Sequence, residues 1–320
     1  MSSNKNVSII VLNWNNAPDT IECINSILKL SYDNFNLIIC DNNSTDGSYD
    51  EILFHLEKIN LNNRRFHCFN QFDSKGKAFS VINNRDVFLI QTGHNLGYAG
   101  GNNVGIRFAL TLLNSEYIWI LNNDTEVEPK SLQSFISYFD MHKNIDVLGS
   151  KVVYFNDRNM IQSMGGYYNK LLMTTRNAFY DYSVNYKFSD SEIQSLDYLV
   201  GASLCINRRV FDDVGLLEEK YFLYYEEIDF FNRIKNKFSF SVCLDSIVYH
   251  KVGASTKKGK SDIADFCSIR NRLLIAKKYH PYSYVFVWSS LVFILINRIR
   301  RKNYKQAFNV IRIFFGKRVF

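Results

Sequence analysis

The sequence is poor in several features at once, and each absence removes a class of protein. Only 3 of its 320 residues are proline, and no Gly/Ser-rich stretch interrupts it, so nothing reads as an interdomain linker. Its cysteines (Cys23, Cys40, Cys68, Cys205, Cys243 and Cys267) form no Cys-x-x-Cys pair and mostly fall in apolar runs. That disfavours a zinc or disulfide framework and predicts buried free thiols in a reducing compartment. There is no GxxxxGK[ST], and "GYAGGN" does not fit GxGxxG, which removes P-loop NTPases. The opening "MSSNKNVSIIV" has no long apolar region and no small-residue cleavage site, so no signal peptide is expected. Acidic residues are absent after Asp265.

That last absence organises the charge. Of the 38 Lys and Arg, 12 lie beyond Asp265; the 26 that remain face 31 Asp and Glu, a balance of −5. All the excess positive charge is therefore in the tail. This argues against a nucleic-acid-binding body and for a local anionic partner. With 47% hydrophobic and 22% charged residues, the chain is neither disordered nor built as a multi-span membrane protein. One continuous domain with a C-terminal appendage is expected.

Along the chain, apolar strands alternate with helical periodicity. "VSIIVLN" (7–13) predicts a buried strand. Pro18 then opens a helix with Ile21, Ile24 and Leu28 on one face. "NLIICD" (36–41) is a second strand, followed by a cap-rich turn and a second helix. "FHCF" and "DVFLIQT" predict further strands. "GHNLGYAGGNNVGIRFALTLL" runs from a Gly/Asn-rich turn into a helix carrying Ile106, Leu110 and Leu113. "EYIWILNND" is a strand and "EPKSLQSFISYF" a helix with Pro129 near its start. "DVLGSKVVYF" is another strand. This alternation predicts an α/β fold with a mostly parallel sheet covered on both faces. Residues 154–197 read as a partly β insertion. Beyond them come a strand, two helices, the strand "FSFSVCLDSIVYH" and a helix stopping before Pro281.

Three polar clusters fall at predicted strand ends: Asn13-Trp14-Asn15, Asp41-Asn42-Asn43 and Asn122-Asn123-Asp124. Ligands of open α/β sheets bind outside those ends. Turn chemistry explains any one cluster, but three pointing the same way suggest a site. "GHNLGYAGGNN" places backbone N–H groups near a helix start, suited to a diphosphate or sugar. "YYEEIDFFNR" packs Glu226, Glu227 and Asp229 into a first helical turn. There they stabilise the helix dipole or supply a general base. Asp229 and Arg233 also form an i,i+4 pair. His250 ends a strand and becomes a metal ligand only if it meets Asp124.

The stretches "VSIIVLNWNN", "IICDNNSTDGS", "GHNLGYAGGNNVGI", "ILNNDTEVEP", "VGASLCINRRVFDDVGLLEEKYFLYYEEIDFFNRI", "YHKVGAS" and "RNRLLIAKKYHP" follow one another in this order. Together they resemble family 2 glycosyltransferases, in the bacterial rhamnosyltransferase-like branch, over most of residues 7–281. The resemblance implies a GT-A fold spanning 1–281, with a nucleotide-sugar half to about residue 150, an acceptor half after it, and a basic tail at 282–320. It implies that Asp41 holds the nucleotide base, and that Asn13, Asn15, Asn43, Asn95, Gly97, Gly101, Asn102, Asn122, Asn123 and Arg270 surround the donor. Asp124 takes the last position of the family's DxD-type motif, here Asn-Asn-Asp. It would hold Mg²⁺ or Mn²⁺ with the diphosphate, water and His250. Glu227 stands where the branch has its catalytic Asp, with Glu226 and Asp229 beside it. The implied reaction is inverting transfer of a sugar to a lipid-diphosphate-linked glycan of O-antigen, capsule or other surface polysaccharide. dTDP-L-rhamnose is the first expected donor, and UDP-hexose or UDP-galactofuranose the next. A sugar nucleotidyltransferase is the rival enzyme class, but "LNWNNAPDT" lacks the basic residues its phosphate loop needs. A non-catalytic glycan-binding module is the other rival.

The apolar run "YVFVWSSLVFILI" (284–296) is 13 residues long. As a helix it covers roughly 20 Å against a hydrocarbon core of about 30 Å, too short to span. After it, Tyr304, Phe308, Ile311 and Phe315 share one helical face among Arg and Lys. This predicts a basic amphipathic helix lying on an anionic membrane, with the protein peripheral on the inner face of the plasma membrane. A helix packed on the body, or a contact in a homo-oligomer, is the alternative.

Overall fold

The computed structural model describes residues 4–70, 85–251 and 262–316. The chain opens with β1 (Val7–Asn13), α1 (Ala17–Ile27), β2 (Phe35–Asp41), α2 (Ser48–Lys58), β3 (Phe66–Asn70), β4 (Val87–Gln91), α3 (Gly97–Thr111) and β5 (Tyr117–Asn122). Next come β6 (Thr125–Val127), α4 (Ser131–Met141), β7 (Ile145–Tyr154), β8 (Ile161–Ser163), β9 (Gly165–Asn169), β10 (Thr174–Asn177), α5 (Asp190–Gln194), β11 (Tyr198–Leu199) and β12 (Ser203–Asn207). The remainder is α6 (Arg208–Val214), a 3₁₀ turn at Glu219–Tyr221, α7 (Glu226–Ile234), β13 (Ser239–His250), α8 (Asp262–Tyr279), α9 (Pro281–Arg300) and α10 (Tyr304–Phe314).

The main sheet runs β3-β4-β2-β1-β5-β12-β7-β13-β6, with β8 paired to β7. β3, β4, β2, β1 and β5 are mutually parallel. β12 lies antiparallel between β5 and β7, and β6 runs antiparallel to β13. Strand alternation sends Val7, Ile9 and Val11 of β1 to one core layer and Ile10 to the other. The first layer packs on α1, α2 and α4 through residues such as Ile24, Ile52 and Phe135. The second takes α3, α6, α7, the small β10-β9-β11 sheet and the C-terminal helices. Both faces are covered, which is why β1 and β2 are apolar at nearly every position. The chain order reverses on either side of β1, so the crevice at its carboxyl end is the ligand position of such sheets.

The tail differs from its expected form in length and packing. Pro281 ends α8 and starts α9, which is 20 residues rather than 13. That is about 30 Å of helix, long and apolar enough to cross a membrane by length and composition. α9 and α10 fold back together. Val287, Leu291 and Val310 are buried in the second core layer, and Arg298 and Lys305 pair with Asp265 and Asp262 of α8. One face of the tail thus belongs to the body. The predicted face of α10 (Tyr304, Phe308, Ile311, Phe315) stays exposed, as do Phe286 and Phe293 of α9.

Candidate active site

Parallel pairing places the strand-end clusters side by side. Asn13 is in register with Asp41, and Leu12 with Asn122. Around these ends lies a cavity of about 340 Å³, lined by Leu12, Trp14, Asn42, Asn95, Gly97, Tyr98, Asn123, Phe222, Leu223 and Ile263. Three residues expected from the sequence, Asn95, Gly97 and Asn123, are on its wall. Trp14, 49% exposed, gives it a flat aromatic surface.

Several expected contacts lie behind that wall instead. Asp41 is fully buried. Its carboxylate accepts from Asn13 Nδ2 (2.7 Å), Ser44 Oγ (2.6 Å) and Ser44 N (3.0 Å). It therefore moulds the loop after β2 rather than facing the cavity. Asn13 is equally sealed, its Oδ1 accepting from Thr20. Asn15 and Asn43 take left-handed φ and shape the two loops; Asn15 Oδ1 receives Thr45 N at 2.8 Å. Gly101 is a packing residue, since a Cβ there would meet Leu12 at 2.4 Å. Asn102 is buried and donates to Tyr98 O. Arg270 donates to Lys220 O and braces the turn before α7. In this structure Asp41, Asn13, Gly101 and Asn102 are buried and shape the layer around the cavity, while Asn15, Asn43 and Arg270 are half-buried in its loops and helix.

Gly97 has a stricter reason. It sits at φ +72°, and a Cβ would fall 2.3 Å from Phe222 O. Only glycine permits that approach, which lets Tyr98 N donate to Phe222 O at 2.6 Å. Asn42, unassigned from the sequence, ties the same loop: it donates to Asn95 Oδ1 and Gly97 O and accepts from Leu96 N.

Asp124 and His250 do meet. β6 pairs with β13 so that His250 stands opposite Thr125, and His250 Nε2 lies 3.1 Å from Asp124 Oδ1. His250 Nδ1 lies 2.6 Å from Gln162 Oε1 on β8. With the Gln162 oxygen facing it, an Nδ1–H tautomer would donate there. In that tautomer Nε2 presents a lone pair beside a carboxylate oxygen, an arrangement a shared divalent cation would satisfy. Asn122 Oδ1 is also buried without a partner. An oxygen and nitrogen donor set of this kind fits a divalent ion. Among the described residues no group of three or more His, Cys, Asp or Glu side chains forms a ready-made cage, so most of the ion's coordination would come from the diphosphate and water.

α7 begins after Tyr225, which is left-handed, so its first residues are Glu226 and Glu227. Burial raises the Glu226 carboxyl well above its ordinary range, and the neighbouring Glu227 charge adds to this. Burial also raises Glu227. One Oε2 of each is covered and unpartnered. A carboxyl raised in this way is a stronger base, once deprotonated, than an exposed glutamate, the property required of a carboxylate base working near neutrality. The Tyr98 phenol, itself pushed well up by burial, feels the charges of Glu226, Glu227 and Asp124. Tyr98 is in the cavity wall, and its Oη donates to Gly201 O at 2.8 Å. Asp229 is engaged elsewhere. It is fully buried, accepting from Tyr221 Oη (3.1 Å), Arg233 Nε (2.8 Å), Lys278 Nζ (2.6 Å) and Tyr279 Oη (2.9 Å). Three donors on Oδ1 and Arg233 on Oδ2 make it fasten α7 to α8.

A Rossmann-type half-sheet extended by a mixed half, with a cavity at the switch point between the strand-end loops, defines a nucleotide-sugar transferase of the GT-A class. The sequence profile described as glycosyl transferase family 2 matches residues 8–199, and the chain belongs to that family. It is 24% identical over 239 residues to the low-salt glycan biosynthesis hexosyltransferase Agl10 of Haloferax volcanii, spanning 73% of this chain and 71% of that protein. It is 25% identical over 157 residues to the putative glycosyltransferase EpsE of Bacillus subtilis, 49% of this chain and 46% of that one. Among solved structures, S. aureus TarS 1-349 aligns with TM-score 0.53 and 14% identity over 97% of this chain and 90% of that one. GalNAc-T7, solved with UDP, GalNAc and Mn²⁺, aligns with TM-score 0.61 and 13% identity over 88% of this chain and 50% of that one. At these identities the structures show the shared fold.

Proposed function

We propose that the chain is an inverting, metal-dependent glycosyltransferase whose donor diphosphate sits between the Asp124–His250 pair and the loop 95–98. The observation that supports this is the 3.1 Å approach of His250 Nε2 to Asp124 Oδ1, next in sequence to the wall residue Asn123, with the buried Glu226–Glu227 pair directly after the turn whose Phe222 and Leu223 wall the same cavity. Trp14 offers a stacking surface for the nucleotide base, and Asn95, Gly97 and Asn123 orient the sugar diphosphate. Asp124 and His250 would hold Mg²⁺ or Mn²⁺, with Gln162 fixing the imidazole. When bound, the ion neutralises charge on the leaving diphosphate. Glu227 takes the proton from the acceptor hydroxyl, which attacks the anomeric carbon from the opposite face. Burial keeps Glu227 basic enough to do so, while its hydrogen bond with Glu226 works in the other direction.

Residues from about 151 to 281 form the acceptor side, and the acceptor is a lipid-linked or oligosaccharide glycan of a surface polysaccharide. dTDP-L-rhamnose is the first donor proposed, then UDP-hexose or UDP-galactofuranose. The tail places the enzyme on the cytoplasmic membrane face. Phe293 and Phe315 are 75% and 76% exposed, and every charged residue after Asp265 is basic, which suits anionic lipid. Because Val287, Leu291 and Val310 are core residues, the tail is tested by Phe293→Ser with Phe308→Ser rather than by deletion. These changes should abolish sedimentation with anionic liposomes at low salt; unchanged sedimentation would refute the membrane role.

Incubating the protein with the donor panel and metal tests the activity. Free nucleoside diphosphate marks a transferase, pyrophosphate a nucleotidyltransferase, and no product a binding module.

A further inference from the structure

The segment leading into α7 is strained. Phe222, Tyr224 and Tyr225 take φ of 63°, 67° and 75°, three left-handed residues within four, none of them glycine. Bulky side chains rarely occupy that region unless their surroundings enforce it, and such strain gathers at functional sites. The turn reaches the cavity on one side, where Phe222 and Leu223 form wall and Phe222 O receives Tyr98 N. On the other side it ends at Glu226 and Glu227.

One side chain holds it. Asn271, on α8 and fully buried, directs Nδ2 to the carbonyls of Tyr221 (2.9 Å), Leu223 (2.9 Å) and Tyr224 (2.8 Å). Its two N–H protons serve three acceptors, so one is shared. Arg270 Nη1 donates to Asn271 Oδ1 at 3.2 Å and to Lys220 O at 3.1 Å, which fixes the carboxamide's orientation. Three carbonyls thus converge on one carboxamide; Tyr221 O also accepts from Leu223 N at 2.7 Å.

We propose that Asn271 is a positioning residue for sugar transfer: its carboxamide clamps the left-handed turn 222–225 and so sets where Glu227 and Phe222 stand at the donor cavity. This rests on the reading of that cavity as the transfer site. Aspartate at this position has the same shape but turns an oxygen toward three carbonyls. Serine is too short to reach all of them.

The test uses full-length Asn271→Asp and Asn271→Ser. Amide hydrogen exchange over 219–230 should accelerate while β1, β2 and β5 stay as protected as in the parent protein. With an active donor, kcat should fall about tenfold to a hundredfold, while UDP or dTDP binding, measured by calorimetry, changes less than about threefold. The acid limb of the pH–rate profile should shift, because Glu227 would meet water. Unchanged exchange in the turn overturns the clamp whatever the activity. A loosened turn with full kcat, or kcat and nucleotide binding falling together with the melting temperature, overturns the positioning role. If the parent protein turns over no donor, the transferase reading fails, while exchange alone still decides whether Asn271 holds the turn. A variant too unstable to purify in both forms counts against the proposal, as a purely structural asparagine would behave that way.

Discussion

Replacing Asp229 by Asn separates a structural carboxylate from a catalytic one. Its oxygens are out of water and take donors from the 3₁₀ turn, α7 and α8. The substitution keeps the shape, removes the charge and turns an NH₂ group toward one set of donors. Removing one member of a buried ion pair costs about 3–5 kcal/mol. Two features pull toward the lower end. Lys278 is 42% exposed and can turn to water, so its share is discounted for screening. Arg233 keeps its bonds to Val214 O and Leu216 O at 2.6 and 2.7 Å. A loss of about 3 kcal/mol is expected. With an unfolding entropy near 2.1 cal/mol/K per residue over a chain this long, that lowers Tm by roughly 5 °C. Thermal melting and the rate per folded molecule are measured on the same sample. The expected result is a clear drop in Tm with a rate within about threefold of the parent. A hundredfold slower enzyme with an unmoved Tm would refute the structural assignment and return Asp229 to the chemistry.

The other predictions concern the cavity and its carboxyls. Glu226 has a folded-state carboxyl raised above 4.5, so the folded state holds the extra proton; stability is full below that value and lost as pH rises through the folded pKa. Glu226→Gln should therefore melt higher than the parent at pH 8 and lose that advantage near pH 4, and a difference independent of pH would contradict the raised carboxyl. Gly97→Ala should weaken nucleotide binding about tenfold or more, since a left-handed alanine costs about 1–2 kcal/mol before the clash with Phe222 O is counted. Gly201→Ala, whose nearest atom is Tyr98 Oη at 3.6 Å, should bind normally in the same calorimetry. Gln162→Leu frees His250 Nδ1 and should raise the metal concentration for half-maximal rate about 10–100-fold, whereas Asp124→Asn should remove most of the metal-dependent rate; an unchanged metal requirement in both would exclude the pair as the ion's site.

The strands and helices of the first 150 residues were legible because each is a short apolar run or a periodic face bounded by Gly, Asn, Asp or Pro. Pro281 was legible as a boundary, but the helix it starts reads as 13 residues only if Asn297, Arg298 and Arg300 are taken as its end. Those polar residues continue the helix, and Arg298 does so by reaching Asp265. The three-residue β6 is too short to show a period, yet it brings His250 to Asp124. The resemblance suggested that pairing; the strand explains it. Asp41, Gly101 and Asn102 are buried beside the cavity rather than lining it, a difference the sequence does not carry, because an Asn or Gly at a cavity wall and one just behind it look alike there. Asn271 falls in the quoted stretch "RNRLLIAKKYHP", but its role there was not legible, since its three acceptors are carbonyls 47 to 50 residues away.

The central claim is that Glu227 is the base of a sugar transfer in this cavity, and turnover of Glu227→Gln against the parent tests it most directly. Nucleoside diphosphate release is followed with metal and a donor the parent accepts, with nucleotide affinity measured alongside. The account predicts a rate lower by about 10²-fold or more with nucleotide affinity and Tm preserved. A Glu227→Gln protein that releases nucleoside diphosphate at the parent's rate would contradict it.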